Sequence, residues 1–458
     1  MKRIIKQITP GFIINAWHYL NAWYGAVRFD HPSEELMVIG VTGTSGKSST
    51  IHFLRQVLES LGFVVGSLST ADFYIDGEVK LNDRKMTMLG KGQIHKYLRD
   101  MRTKGCDIAI LETTSEGALQ HRHKFINYDY VVFTNLYPEH IEAHGSFENY
   151  KNCKLDILRY VSKCKHKYKA ESKDGWSFYP NDISGKDTEK IEKTCFLNGN
   201  NEHMPDAAEI DFDQIYVFAR NDQQLFLNQE DEEVDRAFIS KDNEMTKEGL
   251  SFNLDGRSYQ TKILGKHNIW NILASIAVAN KIKPEAELEQ AVQKLSSPPG
   301  RLEFIPEAEK HGFQVIVDYA FEPKALRALY ETVEILDADK IIHVCGSAGG
   351  GRDKSRRGPI GRIAAQNADE VIVTNEDPYY EDPQKIIDQV AAGAEESGEI
   401  KDEHIHKILD REEAIKRAVE MAEDNDLVLI TGKGSEQGIM QDGEMIPWDD
   451  REIVRDKL

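Results

Sequence analysis

The residues Val38-Ile39-Gly40-Val41-Thr42-Gly43-Thr44-Ser45-Gly46-Lys47-Ser48-Ser49-Thr50 constrain this chain more than any others. A β-branched apolar run leads into glycines, then Gly-Lys-Ser, then helix-forming residues from His52 to Leu58. That order predicts a strand, a phosphate loop and a helix N-terminus. Backbone N–H groups of such a loop point at phosphate oxygens, and the helix dipole adds partial positive charge. Lys47 is placed to reach the β- and γ-phosphates of a nucleotide, and the Ser48 hydroxyl to sit on Mg²⁺. The broad phosphate-loop pattern has glycine where this chain has Val41. A lone Gly-Lys-Ser is common. One placed between a buried strand and a helix points to nucleotide binding.

The 458 residues leave room for two or three domains and a large core. Apolar runs stay short of the ~18 residues that a membrane-crossing helix needs. The stretch Phe12–Phe29 is interrupted by Asn, His and Arg, so it does not read as a secretory signal. A formal net charge of −20 argues against nucleic acid as a partner, so an anionic ligand must be held by local Lys, Arg and backbone N–H groups. Cys106, Cys153, Cys164, Cys195 and Cys345 are dispersed without metal-type spacing and read as reduced thiols of a cytoplasmic protein.

Organisation follows from periodicity. In residues 1–36, Ile13, Ala16, Trp17, Leu20, Trp23 and Tyr24 recur at helical spacing. This helix either docks on the body of the protein or lies at a membrane surface, with Lys2, Arg3 and Lys6 suited to the second role. Residues 37–299 alternate strand and helix. The apolar runs Met37–Val41, Ile108–Leu111 and Tyr130–Thr134 predict a parallel sheet with crossover helices. The polar segment Lys163–Lys247, with its acidic run Glu230–Asp235, reads as less regular strands and loops of the same domain. Ser296-Ser297-Pro298-Pro299-Gly300 marks a domain boundary. Residues 300–458 repeat the α/β pattern, with strands expected at Gln314–Asp318, Lys340–Cys345, Glu370–Thr374 and Asp426–Thr431. Helices are expected at Pro323–Leu336 and Arg411–Ala422. The fold class is therefore α/β: a P-loop parallel-sheet ATPase domain followed by a Rossmann-like C-terminal domain.

Ligands of open parallel sheets sit at the carboxyl ends of strands. Glu112 closes the run Ala109-Ile110-Leu111, and a carboxylate there, beside a phosphate loop, is a natural Mg²⁺ ligand. Gly346-Ser347-Ala348-Gly349-Gly350-Gly351-Arg352-Asp353-Lys354 follows another strand and turns from glycine-rich to basic.

The loop Thr42–Ser48 resembles the T-G-T-N-G-K-(T/S) sequence of the Mur ligase superfamily, ATP-dependent amide ligases of peptidoglycan assembly. Further motifs follow in that family's order as far as Gly432, most similar to its tripeptide-synthetase branch. The resemblance implies that Gly43, Thr44, Ser45, Gly46, Lys47, Ser48 and Ser49 cradle the phosphates of ATP. Glu112-Thr113-Thr114-Ser115-Glu116 resembles the E-x-S-S-H block, with Thr114, Ser115, Gln120 and Arg122 on substrate-contacting positions and Glu116 replacing its histidine. Thr134-Asn135-Leu136-Tyr137-Pro138-Glu139-His140 resembles T-N-L-x-x-D-H, which makes His140 a metal ligand and puts Glu139 and Glu142 in place of aspartates. Lys154 falls on the family's carbamylated lysine, whose carboxylate-like product holds Mg²⁺. A buried lysine of depressed pKa reacts with CO₂ in this way.

The block Gly265-Lys266-His267-Asn268-Ile269-Trp270-Asn271 implies adenine contacts from Asn268 and Asn271. Pro299-Gly300-Arg301-Leu302-Glu303 resembles the P-G-R-x-E hinge, with Arg301 meeting the phosphates on closure. Val317-Asp318-Tyr319-Ala320-Phe321 implies ribose binding by Asp318 and lacks the family's histidine at Phe321. Arg352 and Lys354 fall on phosphate-directed positions. Thr374-Asn375-Glu376-Asp377-Pro378-Tyr379 sits where the diaminopimelate-adding type reads T-x-D-N-P-R, so Asn375, Asp377 and Tyr379 face the incoming amino acid. Gly432-Lys433-Gly434-Ser435-Glu436 resembles G-K-G-H-E, adding Lys433 and Glu436 to that set.

The implied enzyme activates an acceptor carboxylate as an acyl phosphate and lets an amino acid's amine displace phosphate. Lys47, Glu112, His140, Lys154 and Arg301 are its catalytic set; ATP and two Mg²⁺ ions held by Ser48, Glu112, His140 and Lys154 are its cofactors. A muramoyl peptide or related carboxylate and an amino acid are its partners. About 36 residues precede the first strand where the tripeptide-synthetase branch carries a UDP-binding domain, so the acceptor is expected to depart from the usual one. A poly-glutamate or folylpolyglutamate-type ligase, a MurT-like enzyme and a nucleotide-binding scaffold stand as alternatives. The MurT-like reading is disfavoured by the absence of four-cysteine spacing. The scaffold reading is disfavoured by Lys47, Glu112, His140 and Lys154 occurring together.

Overall fold

A computed structural model describes residues 10–84, 86–90, 92–139, 141–172, 175–182 and 187–458. Two parallel-dominated sheets carry the chain. The first has eleven strands in the order β11-β10-β9-β8-β7-β6-β1-β5-β2-β3-β4. Its centre is β1 (Met37–Thr42), flanked by β5 (Ile108–Glu112) and β6 (Tyr130–Phe133), both parallel to it. Val41 stands opposite Glu112 on one side and Val132 on the other, so the three strands end together. β2 (Val65–Leu68) pairs parallel with β5, and β3 (Asp72–Ile75) and β4 (Glu78–Leu81) close that edge antiparallel.

Beyond β6 the sheet continues through β7 (Thr194–Asn198), β8 (Gln214–Arg220) and β9 (Arg236–Thr246), all parallel, then antiparallel β10 (Gly249–Leu254) and β11 (Arg257–Thr261). These strands lie in the segment expected to be least regular. Cys195, Phe196 and Leu197 are fully buried in the sheet, so the polar residues of this segment belong to its connections.

Helix α1 (Gly11–Arg28) precedes the sheet, and α2 (Lys47–Ser60) and α5 (Asn268–Ile282) pack together on one face. On the other face lie α3 (Gln93–Thr103) and α4 (Phe147–Ser162). α5 is apolar nearly all round, with Ile269, Leu273, Ala277 and Val278 at zero exposure, as befits a helix buried on every side. α1 is two-faced. Ala22, Gly25 and Ala26 dock on the body, and a Cβ on Gly25 would fall 2.5 Å from Gly92 Cα, so only glycine allows this approach. Ile13, Trp17, Leu20, Trp23, Tyr24 and Val27 remain exposed. Lys2, Arg3 and Lys6 lie outside the described residues. Among those described, no helix is long and apolar enough to cross a membrane.

The second sheet has six strands in the order β12-β13-β17-β14-β15-β16. These are β12 (Glu303–Phe304), β13 (Gln314–Asp318), β14 (Ile341–Cys345), β15 (Glu370–Thr374), β16 (Ile405–Ile408) and β17 (Leu427–Thr431). All pairs are parallel except β12 with β13. Four strands match their sequence expectation within a residue, and β12 and β16 are additional to it. Helices α6 (Pro323–Val333), α7 (Arg357–Asn367), α8 (Pro383–Glu395) and α9 (Arg411–Met421) cover its faces. All five cysteines are free.

Candidate active site

The phosphate loop leaves β1 and enters α2 through Gly46, whose φ of 78° is left-handed. A Cβ there would sit 2.6 Å from Asn271 Oδ1, so glycine is required both by conformation and by room. The β6–α4 connection braces the loop. Ser45 N donates to Asn135 Oδ1 at 2.9 Å, Thr44 N to Asn135 O at 3.0 Å, and Thr134 Oγ1 to Ser45 O at 2.6 Å. Lys47 folds back so that Nζ donates to Gly43 O at 3.1 Å and Thr44 O at 2.8 Å. An ammonium resting on the carbonyls of its own loop sits at the loop mouth, where a bound polyphosphate would meet it.

Glu112 is buried at the end of β5, and one of its oxygens collects three donors. Oε2 accepts from Ser48 Oγ at 3.0 Å, Thr70 N at 2.7 Å and Thr70 Oγ1 at 3.0 Å. Serine hydroxyl and carboxylate are the hard oxygen donors that suit Mg²⁺, which binds through one or two carboxylates, phosphate and retained water. Among the described residues no three His, Cys, Asp or Glu side chains form a metal-ligating group. His140, expected as a ligand, lies outside the described residues. The Ser48–Glu112 pair therefore fits Mg²⁺ in the form that relies on nucleotide phosphates to complete the shell.

Lys154 projects from α4 with 2 % exposure and donates to Gly43 O at 2.7 Å. Burial, reinforced by the nearby Lys47 ammonium, pushes its pKa well below the ordinary lysine value. Tyr150, one turn earlier, donates its hydroxyl to Thr44 Oγ1 at 3.1 Å and lies beneath the Lys154 ammonium at 4.8 Å. His144 Nε2 meets Ser115 Oγ at 3.1 Å.

Asn268 and Asn271 open α5 beneath the loop. Asn271 accepts from Thr50 Oγ1 at 3.1 Å and donates to Asn268 Oδ1 at 2.9 Å, and Asn268 donates to Leu264 O at 2.7 Å. One N–H of each amide is thus engaged in fixing the helix entry, and both residues still line the cavity.

The second sheet faces the same space. Asp318 ends β13, where Leu302 N and Ala320 N each donate to it at 2.7 Å. Burial raises its pKa against the pull of Arg301. The Arg301 guanidinium lies 4.2 Å from the centre of the Tyr319 ring, and Tyr319 donates to Glu436 Oε1 at 3.2 Å. Lys433, fully buried, bridges Asp377 Oδ2 at 3.0 Å and Glu436 Oε2 at 2.6 Å. Arg352 hydrogen-bonds Tyr379, whose φ is 55°.

Four expected residues, Lys354, Asn375, Gln120 and Lys433, stand off the cavity wall. Lys354 pairs with Glu381 at 2.8 Å outside the cavity wall, and Arg356 occupies the wall instead. Asn375 presents its carbonyl to Arg411 at 3.2 Å. Gln120 lies beside Arg122, which donates to its Oε1 at 2.5 Å and to the Met88 carbonyl.

One cavity of about 1410 Å³ joins these parts. It runs from Gly43–Ser49, Glu112 and Lys154 to Arg301, Asp318, Arg352, Asp377, Tyr379 and Glu436. Across it Glu139 hydrogen-bonds Glu322, and burial with that second carboxyl raises the Glu139 pKa to about 7. Lys324 Nζ sits 3.7 Å from the Tyr137 ring centre. Sequence reasoning missed Thr70, Tyr137, Glu322 and Arg356. Thr70 was accessible to the strand-end rule, since it follows β2 on the edge that carries Glu112.

Residues 41–174 match the Mur ligase middle domain, and residues 300–434 the Mur ligase glutamate ligase domain. A UDP-N-acetylmuramyl-tripeptide synthetase of Roseiflexus sp. is 31% identical over 447 residues, covering 94% of this chain and 80% of that protein. A UDP-N-acetylmuramoyl-L-alanyl-D-glutamate–2,6-diaminopimelate ligase of Clostridium botulinum is 29% identical over 431 residues, covering 94% and 79%. A solved structure of a ligase of that second name superposes with a TM-score of 0.57 at 26% identity, covering 92% of this chain and 78% of that one.

Proposed function

The chain belongs to the Mur ligase family, ATP-dependent ligases of peptidoglycan-precursor synthesis, and from that premise we propose that it joins an amino acid to the carboxylate of a muramoyl-peptide acceptor. The observation that carries the assignment is the single cavity onto which the phosphate loop, Glu112, Lys154, Arg301 and Glu436 all open. Lys47 and Arg301 neutralise charge on the transferred phosphoryl group. Positioning and electrostatics supply most of the rate in such transfers. Ser48, Glu112, His140 and a carbamylated Lys154 would hold two Mg²⁺ ions, which would supply further charge neutralisation when bound. Asn268 and Asn271 flank the adenine, Asp318 takes the ribose, and Arg352 points to the phosphates. Thr114, Ser115, Gln120 and Arg122 line the acceptor's approach. Asp377, Tyr379, Lys433 and Glu436 receive the incoming amino acid, whose amine attacks the acyl phosphate and releases phosphate.

We assign residues 37–299 and 300–458 to two domains hinged at Pro298–Arg301, because the ATP contacts proposed above are divided between them. Rigid-body closure then completes the site. The exposed apolar stripe of α1, with Lys2, Arg3 and Lys6 ahead of it in sequence, suits peripheral contact with an anionic membrane surface. Phosphate release that requires both an acceptor and an amino acid, screened over muramoyl dipeptides and a panel of amino acids, tests the assignment. Phosphate release indifferent to the acceptor would overturn it.

A further inference from the structure

The last helix, α10 (Asp450–Lys457), lies off the cavity wall and beyond residue 434, where the match to the glutamate ligase domain ends. Its first turn nonetheless holds two segments on which the site depends. Arg451 is 6% exposed, and its guanidinium forks between two carboxylates. Nε and Nη2 take Asp449 in a bidentate pair at 2.9 and 2.6 Å, and Nη1 donates to Glu303 Oε2 at 3.2 Å. The same Glu303 oxygen accepts from the hinge amide of Gly300 at 2.6 Å. On the other arm, Asp449 Oδ2 accepts from Gln437 Nε2 at 2.7 Å, and that nitrogen also donates to Ser435 O at 3.1 Å. The Arg451 fork is thus the joint between the hinge segment Gly300–Glu303 and the loop that carries Glu436.

Hinge and loop also touch directly. A Cβ on Gly300, whose φ is 62°, would overlap the Ser435 amide, and one on Gly434 would sit 2.7 Å from Gly300 O. Two backbones this close leave no room for a side chain, so a tilt of either segment is passed to the other. The hinge has further anchors, Leu302 N on Asp318 at 2.7 Å and Arg301 N on Pro298 O at 3.1 Å. The loop leans more on the fork. Glu436 lies on the cavity between Ser435 and Gln437, and the Gln437 amide spends its donors on Ser435 O and Asp449. A desolvated guanidinium fixes its carboxylate partners in direction as well as distance, which a point-charge ammonium does not.

We propose that Arg451 is a positioning residue for the amide-forming step: through Asp449 and Gln437 it holds the Glu436 loop in register with the hinge, so that the amine of the bound amino acid is aimed at the acyl phosphate. The proposal rests on the ligase reading above. Arg451 stands off the cavity wall and acts through other residues, and its effect falls after phosphoryl transfer. In the step concerned the nitrogen forms a bond to the acyl carbon. The C–O bond to phosphate breaks with its electron pair leaving on phosphate, and the nitrogen's surplus protons pass to phosphate and water.

The test splits the reaction on the full chain with UDP-N-acetylmuramoyl-L-alanyl-D-glutamate as acceptor and either lysine or hydroxylamine as nucleophile. Hydroxylamine captures an acyl phosphate as a hydroxamate and needs no amino-acid loop to aim it. Arg451→Gln should lower kcat/KM for lysine by about 10²-fold, the cost of misplacing a reacting group by ~1 Å, and leave hydroxamate formation within about threefold of wild type. Arg451→Lys keeps the charge and loses the fork, so it should fall between them. Gln437→Ala cuts the same path at a half-buried residue, and should lower kcat/KM for lysine by at least about tenfold. It carries the test where thermal melting shows that Arg451→Gln does not fold. The double variant should lie no more than about threefold below Arg451→Gln, because two cuts in one path do not add. Equal losses with both nucleophiles, or wild-type kinetics in Gln437→Ala, overturn the positioning role and leave the ligase reading standing. Wild type that forms neither amide nor hydroxamate overturns the ligase reading and the role of Arg451 with it.

Discussion

Lys154 crosses from the middle of α4 to the phosphate loop and donates to the Gly43 carbonyl at 2.7 Å. The side chain is buried at 2% exposure with Lys47 nearby, so two ammonium groups crowd one loop and the buried one is driven toward the neutral amine. A neutral lysine amine in a site built for cations is the form that adds CO₂. Growth or incubation with ¹³C-bicarbonate should therefore yield a carbamate on Lys154, with its carbon visible by carbon NMR and a mass gain of about 45 Da, the mass of labelled CO₂. Lys154→Ala should lose about 10²–10³-fold in kcat and recover part of it with short carboxylic acids. An unlabelled, unmodified lysine in active enzyme would remove this role.

Lys47→Ala should abolish ATP turnover by a similar factor, about 10²–10³ in kcat, and leave the fold intact. The loop is held by Ser45, Thr44 and Thr134 through Asn135 and the backbone, and none of those bonds involves the Lys47 ammonium. Circular dichroism and phosphate release together check it. Wild-type turnover in a well-folded variant would refute the loop assignment.

Glu376 supplies a pH-dependent stability effect. Burial lifts its pKa from 4.5 to about 6, against the pull of Lys433, Arg411 and Arg356 and with a push from Asp377. Above pH 6 the folded chain holds a buried charge that the unfolded chain solvates, and this costs stability. As pH falls from 6 toward 4.5 the folded state takes up the proton first and the cost disappears. Glu376→Gln should thus stabilise the protein at pH 8 by about 1–2 kcal/mol and change little at pH 4.5. Urea unfolding at the two pH values measures both. Destabilisation at pH 8 would show that the carboxylate is net favourable.

The α1 stripe predicts sedimentation with anionic phospholipid vesicles. Leu20→Glu with Trp23→Glu should abolish it, because both residues are exposed and neither supports the docking contacts of Ala22, Gly25 and Ala26. Catalysis in solution should be unchanged. Equal vesicle binding by wild type and the double variant would assign the stripe to something other than lipid.

The nucleotide end of this site could be read from the sequence because phosphate chemistry needs contiguous residues. Gly43 to Ser48 carry strand, loop and helix start in one window, and Glu112 marks the end of an apolar run. The second sheet was readable for the same reason, since its buried parallel strands are continuous apolar runs such as Val428 to Ile430. β7 to β9 were obscured because long polar connections dilute short buried cores. Thr70 on Glu112, Glu322 against Glu139 and Arg356 in place of Lys354 depend on which ends meet in space, and neither spacing nor composition records that.

Tyr379 predicts that meso-diaminopimelate is not the preferred amino acid. In the diaminopimelate-adding type an arginine at this position forms a bidentate, charge-assisted pair with the distal carboxylate. Here a phenol occupies it, fixed by a backbone bond to Met440 O at 2.8 Å and by Arg352. Arg352 is already shared with Tyr379, and Lys433 is committed to Asp377 and Glu436, so the guanidinium and the ammonium nearest this position both have partners. Losing a fork-shaped cationic partner costs a buried carboxylate on the order of 2–5 kcal/mol. Asp377 is paired with Lys433 and Glu381 with Lys354 and Arg357, and the buried Glu376 beside them favours a cationic side chain over an anionic one. Lysine should therefore exceed meso-diaminopimelate in kcat/KM by more than about tenfold, with alanine between them. Tyr379→Arg should narrow or reverse that order. Steady-state kinetics with the three amino acids and one productive acceptor decide the matter, and a clear preference of the wild type for meso-diaminopimelate would overturn the role given to Tyr379.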